Sequence, residues 1–357
     1  MLGVLRLLLA LLVLFSHIAL VSRTPSAVFN FNVGVASVIC FYFISGYLMR
    51  HSYRRFLAHS ASPVRDFYKD RILKLFPQYL CVVAFSFICI GALGHSEYNW
   101  ILNQEIGVTK VVLNLLLLPA NYVFEPWVIP SMLPHPIVPP AWSLSTEFHF
   151  YILLPLIFLL KRWQWLLLLA LVLTVQLGSL FVTSSAFNAN SFLYRYIYGV
   201  LTIFLFGFAY AGFHDKQDRV VVFLLWGIFL AFLLLLEPAF DLANNTLARE
   251  VLVGACLAFP LLHVTLRLRV DSAAIKKADR YLGDLAYPVF ITHFIAFYLA
   301  EKLLHVTPGL NVAFLLTAGG LCIFMSIILS SMQRKIENYR IRTRGFASLK
   351  NSNISAE

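Results

Sequence analysis

The chain reads as a succession of apolar runs separated by short polar intervals. Runs near the length that crosses a bilayer as a helix, about 20 residues, fall near 3–21, 33–49, 76–94, 141–160, 164–183, 192–213, 219–236, 248–266, 284–303 and 311–332. This pattern predicts an all-α integral membrane protein with about ten transmembrane helices. The stretch 106–121, IGVTKVVLNLLLLPAN, is too short to cross with ease and ends at Pro119. It is expected to be a re-entrant or interfacial helix. Six prolines follow: Pro126, Pro130, Pro134, Pro136, Pro139 and Pro140. A run this rich in proline cannot stay helical, so the 122–140 segment is a rigid connector or a lip over a cleft.

The polar intervals alternate in charge. Seven cations lie between the second and third runs: Arg50, Arg54, Arg55, Arg65, Lys69, Arg71 and Lys74. The 95–140 loop carries one, Lys110, against Glu97, Glu105 and Glu125. Lys161 and Arg162, then Lys216 and Arg219, mark the next basic loops, separated by a neutral one at 184–191. The 237–247 segment has Glu237 and Asp241 and no cation, whereas 267–283 has five cations and the tail six. Basic loops stay in the cytoplasm, so ten spans place both termini there, with 106–121 on the outer side. A spanning 106–121 would invert every later loop. The chain divides into a transmembrane domain, 1–335, and a short basic cytoplasmic tail, 336–357.

Composition agrees. Only 13% of the 357 residues are charged and 60% are hydrophobic, where soluble domains carry about 25% charged residues. The net charge of +11 is explained by topology, with an anionic ligand as a second cause; it gives no reason to invoke nucleic acid. The five cysteines lie in apolar runs without a C-x-x-C pair. They read as packing residues, with neither a disulfide framework nor a metal site. Arg6 and His17 interrupt the first run and a second span follows directly, which argues for a retained helix over a cleaved signal peptide.

Those two residues are the first candidate chemistry. Eleven helical residues return to within about 20° of the starting direction and rise roughly 16 Å. Arg6 and His17 therefore share one face at opposite depths, and polar groups inside a span usually face a functional interior. Arg71 and Lys74, three apart on one face, could grip phosphates at the inner boundary or serve as anchors. Glu147 lies about two turns into the fourth run, at an expected depth close to that of His17, where it could orient the ring. His293 lies near mid-membrane, and Arg195 near the outer end of its span among Tyr194, Tyr196 and Tyr198. Gly46, within Phe43-Ile44-Ser45-Gly46-Tyr47, allows close helix approach.

Taken together, these motifs resemble the acyltransferase 3 family of membrane acyltransferases. The matching features, in order, are Arg6-x10-His17, the Phe43–Tyr47 turn, the Arg71–Tyr79 entry to the third span, and Trp142-Ser143-Leu144-x-x-Glu147-x-x-Phe150-Tyr151. A looser Tyr287-Pro288-x4-His293 follows, and the likeness covers roughly residues 1–335. Lys74 stands where the family usually has a second arginine, and Ala286 where serine is common. The SGNH hydrolase-like domain of some members is not expected. The resemblance implies transfer of an acyl group, most often acetyl, from cytoplasmic acyl-CoA to a hydroxyl of a cell-envelope sugar or polysaccharide, at a bacterial inner membrane. It implies His17 and Glu147 as catalytic residues, with His17 either a general base or the carrier of the acyl group. It implies Arg6, Arg71, Lys74, Tyr79, Trp142, Tyr151, Arg195 and His293 as the set binding substrate and acyl-CoA, and no bound cofactor, acetyl-CoA being a substrate. The expected partners are acyl-CoA, the glycan acceptor and membrane lipids. The competing class is a proton-coupled exporter of sugars or lipid-linked glycans, which would commonly show internal repeats; none is found. A polysaccharide polymerase or ligase would be expected to carry arginines in a large outer loop, and 95–140 has none.

Overall fold

A computed structural model describes residues 1–21, 31–96, 102, 107–121, 136–181, 189–236 and 246–343. Arg23, Glu97, Glu105, Glu125, Pro126, Pro130 and Pro134 lie outside the described residues, as do most of the 184–191 and 237–247 loops and the tail beyond 343. Among the described residues there are helices and no strands. They are α1 (Leu2–Val21), α2 (Val33–His59), α3 (Pro63–Leu93), α4 (Val108–Leu116), α5 (Ala141–Leu159), α6 (Arg162–Gly178), α7 (Ile197–Tyr210), α8 (Lys216–Leu236), α9 (Thr246–Arg267), α10 (Ala273–Leu304) and α11 (Val312–Thr343). A 3₁₀ turn, Leu118–Asn121, follows α4, and a π-helical turn, Ala189–Arg195, leads into α7.

Every one of the ten apolar runs forms a helix, and the protein is an all-α integral membrane protein. Nine helices among the described residues are long and apolar enough to cross a membrane. The remaining one, α6, has 17 residues, about 26 Å at 1.5 Å per residue. The expected ten is thus nine full-length spans and one shorter apolar helix.

The helices overrun the apolar runs at the cation-rich end. α2 continues ten residues past the run ending at 49, and α3 starts at Pro63, well before 76. The seven-cation interval is therefore mostly helix. Arginine and lysine are good helix formers, and Pro63 suits a first helical turn. Ser60 donates to the Asp66 carboxylate at 2.6 Å and its backbone N–H closes α2 on the Phe56 carbonyl. α10 and α11 overrun in the same way. The division at 335/336 falls inside α11, and Arg340 beyond it is ion-paired with Asp70 of α3.

The short α4 does not cross. Its nine residues rise about 14 Å, and the backbone breaks at Leu117, where φ is 61°. The following turn packs against the start of α5, with Ala120 and Asn121 buried. Asn121 donates to the carbonyls of Trp142 (3.3 Å) and Arg195 (3.0 Å), and Ser145 donates to the Leu118 carbonyl at 2.6 Å. Residues 136–140, including Pro136, Pro139 and Pro140, are likewise buried. Irregular backbone at membrane depth is stable only when protein groups satisfy it, as these do.

α2 is central, packing on α1, α7 and α9. A Cβ on Gly46 would come within 1.9 Å of the Phe204 carbonyl oxygen of α7, so only glycine allows that crossing. α1 and α10 run side by side from their N-termini. The Val4 amide donates to Asp279 Oδ1 at 2.9 Å, and the N-terminal ammonium lies 3.3 Å from Oδ2.

Candidate active site

A cavity of about 640 Å³ lies between α1, α2, α3, α5, α10 and α11. It opens at the cation-rich end, where Arg55, Arg280 and Arg334 are exposed. It is walled further in by Arg6, Arg71, Lys74 and Arg340, then by Ser45, Glu147 and Tyr151, and it closes on Val38, Phe41 and Phe290. From Arg55 to Val38 is 17 residues of α2, so the cavity extends about 26 Å along that helix. One end is cationic and the other apolar.

The cationic end carries an excess of positive charge. Seven arginine and lysine side chains line it against Glu147, Asp284 and Glu337. Arg71 is buried and held from behind by Asp70, which accepts its Nε at 3.1 Å. Asp70 Oδ1 also lies 3.0 Å from Arg340 Nε as an ion pair, so one buried carboxylate neutralises guanidinium groups from two helices. Arg71 Nη1 reaches Met49 Sδ at 3.4 Å, and its guanidinium stands 5.8 Å from the Tyr151 ring centroid. Lys74 sits in the combined field of Arg71, Arg6 and Arg340. Among the described residues neither Arg6 nor Lys74 forms an ion pair. Cations left uncompensated at partly buried positions favour a polyanion.

Glu147 is not beside His17. Its Oε1 accepts hydrogen bonds from Ser45 Oγ and from Tyr151 Oη, the latter at 2.5 Å. The depths explain the separation. α1 and α2 are antiparallel, and Ser16 packs on Gly34 so closely that a Cβ there would meet its hydroxyl. Ser45 is eleven residues farther along α2, about 16 Å, which puts Glu147 level with Arg6. The expected pairing of Glu147 with His17 is corrected accordingly. It rested on α5 starting at the membrane surface. The 118–121 and 136–140 segments instead start α5 about 9 Å deeper than α2.

The partner of His17 is His293. His17 Nδ1 and His293 Nε2 are 2.9 Å apart, with ring planes 8° from parallel. His293 is fully buried and its Nδ1 lies 3.3 Å from the Val289 carbonyl. His17 is only partly buried. The pair lies just beyond the apolar tip of the cavity, where the Phe290 ring forms part of the wall and touches His293, centroids 6.3 Å apart.

The other expected site residues separate into three places. Tyr151 is in the cavity wall. Tyr79 is not: it is fully buried and donates to the Asn114 carbonyl at 2.6 Å, tying α3 to α4. Trp142 and Arg195 form a cluster near the opposite end, the guanidinium 5.4 Å from the indole, with Tyr194 packed on Trp142 at 4.8 Å. Thr146 and Asn121 both bond the Arg195 carbonyl.

Sequence reasoning missed Asp70, Ser45, Phe41 and Phe290, and treated Arg280, Arg334 and Arg340 as topology signals alone. Arg280 and Arg340 carried a legible signal. Gln333, Glu337 and Arg340, and Arg280, Asp284 and Tyr287, recur at i, i+4, i+7, each set on one helical face turned to the cavity.

These features define a multi-pass membrane protein with a cationic shaft leading toward a pair of hydrogen-bonded imidazoles. The chain belongs to the acyltransferase 3 family, whose acyltransferase domain matches residues 2–331, and it is a membrane acyltransferase. The match takes in both histidines and all the cavity cations except Arg334 and Arg340. An uncharacterized protein of Aquifex aeolicus (strain VF5) is 27% identical over 176 residues, 46% of this chain and 72% of that protein. No solved structure matches significantly.

Proposed function

We propose that the protein transfers an acetyl group from cytoplasmic acetyl-CoA to a hydroxyl of a cell-envelope sugar or polysaccharide, such as O-antigen, capsule or exopolysaccharide, at a bacterial inner membrane. The observation that carries this reading is the polarity of the cavity, cationic where it opens and apolar where it closes near an imidazole pair. CoA is a polyanion joined to a long thin arm that ends in the thioester. Arg6, Arg71 and Lys74 would hold its phosphates by charge-assisted hydrogen bonds, and the arm would extend past Ser45 and Tyr151 to the tip. Phe41 and Phe290, ring centroids 6.0 Å apart, leave little width there, which favours a small acyl group. Basic loops assign the open end to the cytoplasm, and His17 then lies toward the acceptor side.

In the reaction the acceptor hydroxyl gives its proton to His17 as its oxygen attacks the thioester carbonyl. The carbon–oxygen bond forms, the carbon–sulfur bond breaks, and the proton on His17 passes to the departing thiolate. The products are the O-acetyl ester and CoA thiol. Glu147 serves this reaction from the donor cavity, where it sits among the cations. The test is transfer of labelled acetyl from acetyl-CoA to endogenous glycan in membranes. His17→Ala is expected to abolish transfer while the protein remains folded in the membrane. Wild-type transfer by that variant would overturn the mechanism, and a carrier would consume no thioester at all.

A further inference from the structure

We infer that His293 is a positioning residue that holds His17 in the one tautomer able to react. The inference rests on the reading of His17 as the group that takes the acceptor's proton. It follows from the order of contacts from the backbone outward.

The Val289 carbonyl has no proton to give, so a hydrogen bond to His293 Nδ1, at 3.3 Å, requires the proton on that nitrogen. The other nitrogen of the neutral ring, Nε2, is then bare. Nε2 faces His17 Nδ1 at 2.9 Å. Two bare nitrogens repel, so His17 carries its proton on Nδ1 and donates it to His293. His17 Nε2 is left with a free lone pair. That lone pair is what a general base needs, and the partner of the remote nitrogen decides which tautomer is present.

The surroundings keep this arrangement in place. His293 is fully buried while His17 is partly accessible, so the ring that can meet an acceptor is His17. Phe294 packs at 4.9 Å from both imidazole centroids, and Phe297 lies 5.6 Å from that of His293. The register of α1 on α10 is set at their starts, where a Cβ on Gly3 would fall 1.7 Å from the Asp279 carbonyl oxygen. The two helices then rise together and bring the two rings level.

The experiment pairs nitrogen NMR of histidine-labelled protein in lipid bilayers with kinetics of acetyl transfer. Ring ¹⁵N shifts distinguish an N–H from a bare nitrogen. Wild type is expected to show His17 protonated at Nδ1 and bare at Nε2. His293→Phe keeps an aromatic ring but removes the acceptor. It is expected to mix the tautomers and lower kcat about 100-fold, with the donor KM within about threefold of wild type, as for a group acting only in the chemical step. His293→Gln presents a carbonyl oxygen to His17 Nδ1 and should recover most of the loss. A wild-type His17 protonated at Nε2 would overturn the inference. So would a folded Phe variant with unchanged kcat, or a folded Gln variant no better than Phe. Should wild type transfer no acetyl from CoA, the donor reading fails while the NMR result still decides the role of His293. Should the Phe variant not fold, the wild-type spectrum and the Gln variant carry the decision.

Discussion

Arg71 shows how one side chain is held in place at a cavity inside a membrane protein. Its Nε and one terminal nitrogen are occupied by Asp70, and its other terminal nitrogen is turned toward Met49 on the cavity side. Among the described residues Arg6 and Lys74 have no such carboxylate. They are the residues for which a ligand phosphate would form the first charge-assisted bonds. A hydrogen bond to a charged group is worth about 1.5–3 kcal/mol. Arg6→Ala and Lys74→Ala are each expected to raise the KM for acetyl-CoA by roughly 10- to 100-fold, with kcat changed little. Steady-state kinetics in proteoliposomes checks this, and a fall in kcat at constant KM would place these residues in the chemical step instead. That Arg6 and His17 share a helix face was legible in the sequence because eleven residues is close to three turns. The partner of His17 was not, because α1 and α10 meet across 276 residues of sequence.

At the scale of elements, the end of α11 is joined to α3 through a single buried carboxylate. Asp70 accepts hydrogen bonds from Arg71 of its own helix and forms an ion pair with Arg340 of α11, and all three side chains are buried. Removing one partner of a buried pair leaves an uncompensated charge and costs about 3–5 kcal/mol. Asp70→Ala is therefore expected to lower the thermal unfolding midpoint in detergent. It should also expose the Arg340 region to trypsin, while a control that removes only the exposed Arg65–Asp66 pair, Arg65→Ala, changes stability by less than about 1 kcal/mol. Unchanged trypsin resistance in the Asp70 variant would mean that apolar packing alone holds α11. The same element scale explains the boundaries. Hydropathy marks where a helix leaves the lipid, yet α2, α3, α10 and α11 stay helical beyond it because their polar side chains pack on each other. The α11 segment after residue 335 therefore belongs to the bundle, although its composition reads as a tail.

For the whole molecule, the consequence is sidedness. The cavity opens at the end carrying the basic loops and closes on the apolar tip beside the histidine pair. Donor and acceptor would thus approach from opposite faces without the protein changing which face it opens. Inside-out membrane vesicles are expected to use external acetyl-CoA for transfer, and sealed right-side-out vesicles are not. Equal use by both orientations would rule out a donor site open only to the cytoplasm.

Apolar run length determined the helices and the membrane setting, because in lipid the backbone must bond internally and about 20 residues are needed to cross. Loop charge determined their orientation on the positive-inside rule, and helical periodicity determined that Arg6 with His17, and Arg71 with Lys74, share faces. These are local properties, written in neighbouring residues. Tertiary structure alone decided the depths and partners. The turn at 118–121 lowers α5 and places Glu147 with Ser45, Tyr151 and the cavity cations, about 16 Å from the level of His17. The crossing of α1 on α10 places His293 there instead. Depth and partnership depend on how separate helices stack, and no window of the sequence contains that information.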